Sequence, residues 1–403
     1  MSVDFSENDP VILSAVRTAG GRFQGSLSGI AAPKLGALAI KAAVERAGIE
    51  KTAEIDEVFM GNVVSAGLGQ APARQAAIFG GLPVSVGATT VNKVCGSGLK
   101  AVILASQAVR AGDGDLFIAG GMENMSRVPY LVDGRTGALR FGHAQLTDAL
   151  LNDGLWDPFV EWPMGDAAEF IAQEFDINRR EMDEYAYHSH MKALAAIDEG
   201  RFVAEIVPVE ISAKKGQTTV FAVDEGPRRE TSLEALGNLR PAFQKDGRVT
   251  AGNAPGLNDG AAASVIASRE KAVREGFQPI ARILGYAQAA LEPKWLFAAP
   301  AQAIPKVLQK LGLKLQDLDL IELNEAFAAQ VLANGKELQD QGWDWSKVNV
   351  NGGAIALGHP IGASGARILA TLIHALRDRG LNLGLACACL GGAEAVAVVV
   401  EIE

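Results

Sequence analysis

Cysteine is scarce in this chain of 403 residues, which contains three cysteines in all. Three cysteines are too few for the disulfide framework that stabilises many secreted domains. Two of them, Cys387 and Cys389, are separated by one residue, a spacing that suits neither a disulfide nor a zinc knuckle. The sequence therefore predicts no metal site and favours a reducing compartment.

An excess of positive charge and long apolar runs are also absent from the sequence. The 37 Lys and Arg residues are outnumbered by 47 Asp and Glu residues, which gives a net charge of −10. Nucleic-acid binding is disfavoured because it needs a basic face. No apolar run reaches the length of about 20 residues that a membrane-spanning helix needs. The acidic segment 1–10 lacks the basic start and apolar centre of a secretory signal, so we expect a cytoplasmic protein without nucleic-acid or membrane partners.

What the chain does contain is typical of a soluble globular protein. Hydrophobic residues make up 48% of the chain and charged residues 21%. A chain of this length is expected to form two domains, or two halves with an insertion.

The most informative stretch surrounds Cys95. An apolar, β-branched approach over 88–91 reaches the cysteine, small residues follow, and a long apolar pattern over 99–111 predicts a buried helix. The pattern indicates a strand, a tight turn and a helix whose first turn lies at 95–98. Free N–H groups and the positive end of the helix dipole favour a thiolate there. A buried structural cysteine in a packed turn is the alternative.

A second part of the chain repeats this pattern. Turn, apolar helix, strand and double glycine occur in the same order over 91–121 and over 348–392. In the first copy we expect the strand to end at Ala119 and Gly120-Gly121 to begin a loop. The repeat predicts two similar α/β halves whose helix N-termini face one cleft, where Cys95 and His359 would meet.

The region between the two copies has a different character. Charge rises, strands become rare, and 179–199 forms an amphipathic helical pattern. We expect three parts, namely an N-terminal half formed by 1–126 and 250–279, an inserted loop domain over 127–249, and a C-terminal half over 280–403.

Seven motifs spread over the full length resemble those of the thiolase family and follow the order found in that family. They are Val91-Asn-Lys-Val-Cys-Gly-Ser-Gly98, Ala119-Gly-Gly-Met-Glu-Asn-Met-Ser126, Thr250-Ala-Gly-Asn253, Gly256-Leu-Asn-Asp-Gly260, Leu323-Asn-Glu-Ala-Phe-Ala328, Asn351-Gly-Gly-Ala-Ile-Ala-Leu-Gly-His-Pro360 and Cys389-x-Gly-Gly392. The resemblance implies an αβαβα fold of five layers, made of two similar halves with an inserted loop domain.

The resemblance also implies an activity, the reversible reaction of acyl-CoA with acetyl-CoA to give 3-oxoacyl-CoA and CoA. Coenzyme A thioesters are the expected substrates, and no further cofactor is expected. Acetyl-CoA C-acetyltransferase activity within fatty acid metabolism is the main prediction. A degradative 3-ketoacyl-CoA thiolase acting on longer chains is the alternative. A non-catalytic thiolase-like scaffold is the alternative from another class.

Roles for five residues follow from the resemblance. Cys95 matches the family nucleophile, which carries the acyl group as a thioester. Cys389 matches the acid/base cysteine, whose thiol acidity suits proton exchange with a carbon acid or with CoA. His359 matches the residue that activates the nucleophile, and Asn324 the residue that orients a water. Gly391 contributes an N–H to the oxyanion hole. From the residues alone, Asn324 equally suits the N-cap of a helix that begins at Glu325.

The CoA-binding residues are also carried over from the family. Arg228 is expected to cover the adenine. The apolar residues expected to line the pantetheine tunnel are Leu155, Met164, Ala242, Phe243, Leu257, Ala326 and Phe327. Arg228 and Arg229, with Lys214 and Lys215, are the expected charges that face the phosphates.

Three departures from the family pattern concern substrate choice. Pro163 stands where acetoacetyl-CoA thiolases usually have histidine, which resembles enzymes for longer chains. Pro255 replaces a serine that contacts CoA, which removes a hydroxyl donor. Ala393 and Ala395 replace glycines after Cys389. A homo-oligomer, either dimer or tetramer, is expected from the family, with Tyr130–Gln145, including Thr136 and Gly137, as the candidate tetramerisation loop.

Overall fold

The computed structural model describes residues 7–135, 139, 141–212 and 217–403. Its helices and strands are listed here in chain order. The first part contains β1 Pro10–Thr18, β2 Gly21–Arg22, α1 Ala32–Arg46, β3 Glu57–Gly61, α2 Pro72–Phe79, β4 Gly87–Val91, α3 Ser97–Ala111 and β5 Leu116–Asn124. The middle part contains β6 Tyr130–Leu131, β7 Thr147–Asp148, β8 Trp156–Asp157, β9 Trp162–Pro163, α4 Met164–Glu174, α5 Arg179–Asp198, β10 Ile206–Val207, β11 Val209–Ser212, β12 Thr218–Phe221 and α6 Leu233–Gly237. The last part contains β13 Asn258–Ser268, α7 Arg269–Glu275, β14 Ala281–Ala290, α8 Pro300–Leu311, β15 Leu320–Leu323, α9 Ala328–Glu337, α10 Ala354–Leu357, α11 Ile361–Arg379, β16 Leu383–Leu390 and β17 Glu394–Ile402.

The long strands show the internal repeat directly. Their order across the sheet is β15-β16-β17-β14-β1-β13-β5-β3-β4. On both sides of the β14–β1 junction the pairings run antiparallel, antiparallel and then parallel. The two halves join through a short antiparallel contact in which Val11 pairs with Arg282 and Ile12 with Ala281. The sequence duplication therefore corresponds to two strand sets of matching topology.

The buried side chains divide the halves into layers. One apolar cluster lies between α1, α2 and the strands of the first half. A second contains residues of α3 and α11 together with strands of both halves. A third lies between α8 and the strands of the second half. The order helix, sheet, helix, sheet, helix is the expected αβαβα architecture of five layers.

Helices α3 and α11 approach closely at the centre of the molecule. A Cβ atom added to Gly98 would lie 2.7 Å from the backbone nitrogen of Ala366, and one added to Gly365 would lie 2.4 Å from that of Leu99. Glycine is needed at both positions because the two backbones touch. This contact brings the N-termini of the two helices to one place.

Two local predictions were wrong. Strand β5 does not end at Ala119 but continues to Asn124, because Gly120 and Gly121 admit neighbouring backbone rather than begin a loop. A Cβ atom on Gly120 would lie 2.1 Å from the carbonyl oxygen of Ala262. Helix α9 begins at Ala328 rather than Glu325, so Asn324 does not cap it.

The middle region contains helices, short hairpins and loops, with α5 close to its predicted bounds. The proposed division into 1–126 plus 250–279, 127–249 and 280–403 stays a prediction. Lys214, Lys215, Thr136 and Gly137 lie outside the described residues. Within the described ranges, no helix is long and apolar enough to cross a membrane.

Candidate active site

The turn that carries Cys95 connects β4 to α3. Its conformation is unusual because Val94, a β-branched residue, has a φ of 45°. The Ser97 hydroxyl stabilises the turn by donating to the Val94 carbonyl at 2.6 Å and accepting from the Lys93 N–H at 2.8 Å. Helix α3 begins at Ser97, so Cys95 lies just before the first turn rather than within it.

Cys95 opens into a cavity of about 300 Å³ that also contains His359, Cys389 and Gly391. Residues of both halves and of the middle region line this cavity. The further lining residues are Met125, Leu151, Gly154, Leu155, Pro163, Met164, Gly165, Phe243, Ala254, Pro255, Gly256, Leu257, Leu296, Phe297, Ala326, Phe327, Ile361 and Leu390. A mostly apolar cavity with a few convergent polar groups is typical of a small-molecule site.

The His359 side chain is held in one orientation. Its Nδ1 lies 2.6 Å from the Ser364 hydroxyl oxygen, and that hydroxyl donates to the Pro360 carbonyl at 2.9 Å. The His359 N–H donates to Asn258 Oδ1 at 2.9 Å, which fixes the backbone as well. Burial, assisted by the positive charge of Arg367, lowers the pKa of His359 to about 3. The imidazole is therefore neutral near pH 7, as a proton acceptor must be.

The Cys95 thiol is influenced by opposing factors. Burial is the largest and raises its pKa to about 12, and the Glu123 carboxylate adds to this. The backbone N–H groups of Cys95 and Gly391 act in the opposite direction because they point at the sulfur. Cys95 therefore rests as a thiol, which a neighbouring base must deprotonate before the sulfur can act as a nucleophile. An oxyanion hole needs two such donors, and the assignment of these N–H groups to that role stays a prediction.

Cys389 is 1% exposed and lies at the end of β16. Burial raises the pKa of its thiol well above the ordinary value, and the nearby Cys95 and Cys387 raise it further. The two cavity cysteines are thus close enough to influence each other. Cys387 lies two residues before Cys389 on the same strand and is fully buried in the core.

Asn324 is placed differently from the other predicted catalytic residues. It is 1% exposed and is not among the residues that line the cavity. Both polar atoms of its side chain lack a hydrogen-bond partner among the described residues. A buried amide needs partners, and ordered waters are one class of partner that buried polar groups use in proteins. Its role stays a prediction.

The predicted CoA-binding residues fall into two groups. Six of them, Leu155, Met164, Phe243, Leu257, Ala326 and Phe327, line the cavity. Ala242 is exposed outside the lining, and its N–H donates to the Val249 carbonyl at 2.9 Å. Arg228 is also exposed, and its N–H donates to His190 Nδ1 at 3.2 Å. Arg229 pairs with Asp198.

Sequence reasoning assigned no role to three residues that shape the site. Ser364 and Asn258 orient His359. Glu123 accepts hydrogen bonds from the N–H groups of Val63, Val64 and Gly362, which ties β5 to the first turn of α11. Burial raises the pKa of Glu123 to about 7. Asn258 and Glu123 lie inside the quoted motifs, so their polarity in otherwise apolar strand sequences was the available signal.

Two protein-family models together match most of this chain. The family model for the thiolase N-terminal domain matches residues 10–270, and the model for the thiolase C-terminal domain matches residues 277–402. The chain belongs to the thiolase family.

Relatives of this thiolase match it over nearly the whole length. An acetyl-CoA acetyltransferase of Escherichia coli is 55% identical over 392 residues, covering 97% of this chain and 98% of the relative. An acetyl-CoA acetyltransferase of Pseudomonas aeruginosa is 53% identical over 390 residues, with the same coverage. The crystal structure of the Bacillus anthracis acetyl-CoA acetyltransferase superposes with a TM-score of 0.95 at 43% identity and covers 98% of this chain and 99% of that chain. The thiolase fold expected from the sequence is thereby confirmed.

Proposed function

We propose that this thiolase is an acetyl-CoA C-acetyltransferase that catalyses the reversible thiolysis of acetoacetyl-CoA and the condensation of two acetyl-CoA molecules. One observation carries the proposal: Cys95, His359, Cys389 and the Gly391 N–H surround a single apolar cavity. Relatives named acetyl-CoA acetyltransferase, about half identical over nearly the full chain, support the short-chain substrate.

The first half-reaction forms the acyl-enzyme. In the thiolytic direction, Cys95 Sγ bonds to C3 of acetoacetyl-CoA while its proton passes to His359 Nε2. This nitrogen accepts the proton because Nδ1 donates to Ser364. The C2–C3 bond then breaks, its electron pair remains on C2, and the Cys389 thiol supplies the proton that completes acetyl-CoA. The imidazolium Nε2–H stabilises the enolate oxygen during bond cleavage.

The second half-reaction releases the acetyl group. The Cys389 thiolate takes the proton of the CoA thiol, whose sulfur attacks the acetyl-Cys95 carbonyl. The N–H groups of Cys95 and Gly391 stabilise the oxyanion of this tetrahedral intermediate. The C–S bond to Cys95 breaks, and the proton held by His359 returns to Cys95. Condensation follows the same steps in reverse.

The test combines thiolysis rates with detection of the intermediate. Acetoacetyl-CoA should be cleaved, and mass spectrometry of the quenched enzyme should find one acetyl group on the peptide that contains Cys95. The Cys95→Ala variant should lose both signals, whereas Cys387→Ala serves as a matched control because that thiol is buried outside the cavity. Turnover retained by Cys95→Ala would contradict the nucleophile assignment.

The alternative substrate class is a longer 3-ketoacyl-CoA, and one observation favours it. Pro163, which replaces the histidine usual in acetoacetyl-CoA thiolases, lines the cavity. The rate of thiolysis, measured on 3-ketoacyl-CoA substrates with acyl chains of four to about sixteen carbons, separates the two functions, because the size of the cavity limits which acyl chains it can hold. Rates that rise with chain length would replace the short-chain proposal.

We further propose a cytoplasmic homo-oligomer, dimer or tetramer, that acts in fatty acid metabolism and needs no cofactor besides its CoA substrates. Large exposed apolar side chains support self-association because such patches usually mark interfaces. Several lie in the candidate tetramerisation loop and in its flanks, namely Tyr130, Leu131, Val132, Leu139, Phe141 and Leu146. The exposed edge strand β4 is a second candidate contact. Light scattering after size-exclusion chromatography measures the assembly.

A further inference from the structure

The proposed oxyanion hole is formed by two N–H groups that are distant in the chain, those of Cys95 and Gly391. Cys95 lies in the turn between β4 and α3, and Gly391 lies in the turn between β16 and β17. The strands that flank the two turns lie far apart in the sheet order, with β4 at one edge and β16 and β17 near the other edge. No strand pairing in the described ranges joins the two turns directly, so side-chain contacts between them contribute to the relative position of the two N–H groups.

Two apolar contacts join the turns. A Cβ atom added to Gly391 would lie 3.3 Å from Val94 Cγ1, so the Val94 side chain packs on the Gly391 backbone. A Cβ atom added to Gly96 would lie 2.5 Å from Leu390 Cδ2. Contacts of this kind limit how closely the turns approach, but they are non-directional and do not prevent the turns from sliding.

A polar contact spans the same gap. The Lys93 ammonium forms an ion pair and hydrogen bond with the Glu394 carboxylate. Their side chains are 19% and 31% exposed, so the pair is partly shielded from water. Lys100 lies in the same electrostatic environment. The pKa of its ammonium group is lowered, first by burial and then by the positive charge of Lys93, while the Glu394 carboxylate acts in the opposite direction. Glu394 therefore pairs with Lys93 and also interacts electrostatically with Lys100, a second cation that follows the Cys95 turn.

Each partner of the ion pair adjoins a strained residue. Val94 follows Lys93 and has a φ of 45°, while Ala393 precedes Glu394 and has a φ of 60°. Non-glycine residues pay a conformational cost in this left-handed region and relax unless neighbouring contacts hold them. Ala393 stands where the family pattern has glycine, so this chain has an added reason to restrain the turn.

We propose that the Lys93–Glu394 ion pair is a positioning clamp that holds the Cys95 and Gly391 N–H groups at the spacing of the oxyanion hole. Neither side chain touches the substrate cavity, so both are positioning residues. The inference rests on the Cys95 chemistry proposed above.

The experiment measures single-turnover acetylation of Cys95 by acetyl-CoA, together with steady-state kcat and KM. Lys93→Met and Glu394→Gln should each lower the acetylation rate and kcat about fivefold, since one partly exposed ion pair is lost, while the KM for CoA changes little. The double variant Lys93→Glu/Glu394→Lys should recover the rate to within about twofold, since the pair is restored in reverse. Recovery on charge reversal is not expected of residues that only fill space.

Glu401→Gln is the matched control. Glu401 lies on the same strand as Glu394, is 28% exposed and pairs with Arg282, far from the turns. Its kcat should equal that of the unaltered enzyme. An equal acetylation rate in Glu394→Gln, or single variants that slow the reaction without recovery in the reversed pair, would overturn the clamp.

A salt series on the unaltered enzyme tests the clamp even where a variant folds poorly. Rising ionic strength should lower kcat at saturating substrate toward the Glu394→Gln value, because it screens a partly exposed pair. A kcat independent of salt would overturn the proposal. Failure of the unaltered enzyme to form acetyl-Cys95 would overturn the proposed function and the clamp together, whereas normal acetylation with no effect of Glu394→Gln would overturn the clamp alone.

Discussion

The Nδ1 nitrogen of His359 lies 2.6 Å from the hydroxyl oxygen of Ser364, which donates its own proton to the Pro360 carbonyl. Because the hydroxyl proton is occupied, the imidazole must be the donor in the first contact. The neutral tautomer therefore carries its proton on Nδ1 and leaves Nε2 free to accept one. Ser364, five residues further along the chain, thus determines which ring nitrogen of His359 can accept a proton.

Replacing Ser364 with alanine should lower kcat for thiolysis about fivefold to tenfold, since one neutral hydrogen bond and the tautomer preference are lost. The KM for CoA should change little, because Ser364 does not line the cavity. Ser106→Ala is the matched control, since Ser106 is a buried serine of α3 whose hydroxyl has no partner in the part of the chain described. Equal kcat in both variants would contradict the tautomer argument.

Local patterns were sufficient to predict much of this site. Hydrophobic periodicity and the positions of small residues are patterns over short stretches of the chain. These patterns predict the strand, turn and helix around Cys95 and the duplicated order of elements. The placement of Cys95 and His359 at one cavity followed from the duplication alone.

The relationships that sequence reasoning missed connect residues distant in the chain. Asn258 and His359 meet across 101 positions, and Lys93 and Glu394 across 301. No local pattern encodes these pairings, since they depend on sheet register and on how the halves meet. Gly120 was interpreted as a loop residue because glycine signals both a turn and a close backbone approach, and only the packed strands distinguish these.

The two adjacent arginines expected near the CoA phosphates differ in their partners. Arg229 forms a two-pronged ion pair with Asp198, whereas no hydrogen bond of the Arg228 guanidinium occurs within the described ranges. Arg228→Ala should raise the KM for CoA about fivefold, the effect of one exposed charge contact. Arg229→Ala, the control, should leave the KM within about twofold. The reverse ranking would place the phosphates at Arg229.

The pKa of His359 makes a prediction about stability. Its folded-state pKa is about 3, below the ordinary value of 6.5, because burial disfavours the charged ring. The unfolded chain therefore binds more protons between these values, so the contribution of the neutral ring is complete above pH 6.5 and is lost as the pH falls toward 3. The slope is about 1.4 kcal/mol per pH unit at most.

Urea unfolding at several pH values between 4 and 7 checks this sign. The free energy of unfolding of the unaltered protein minus that of His359→Gln should rise with pH across this window and become constant above it. His374→Gln removes a histidine from a partly buried helix position outside the cavity, and the comparison shows which part of any slope is specific to residue 359. A difference that is constant from pH 4 to 7 would mean that the imidazole is as easily protonated in the folded protein as in the unfolded chain.

Pro255 offers a direct test of how this chain binds CoA. It lines the cavity at the position where the family pattern has a serine, and proline has neither a hydroxyl nor an N–H to donate. Pro255→Ser should lower the KM for CoA about threefold to fivefold, the gain from one added hydrogen bond. Ala254→Ser places a hydroxyl on the neighbouring cavity residue and serves as the control for polarity alone. The Pro255→Ser variant should also lose about 0.4–1 kcal/mol of stability, because the unfolded chain becomes more flexible without the proline. Thermal unfolding measures this loss separately. An unchanged KM in a folded Pro255→Ser enzyme, or an equal gain from Ala254→Ser, would show that the pantetheine chain does not pass residue 255 within hydrogen-bonding distance.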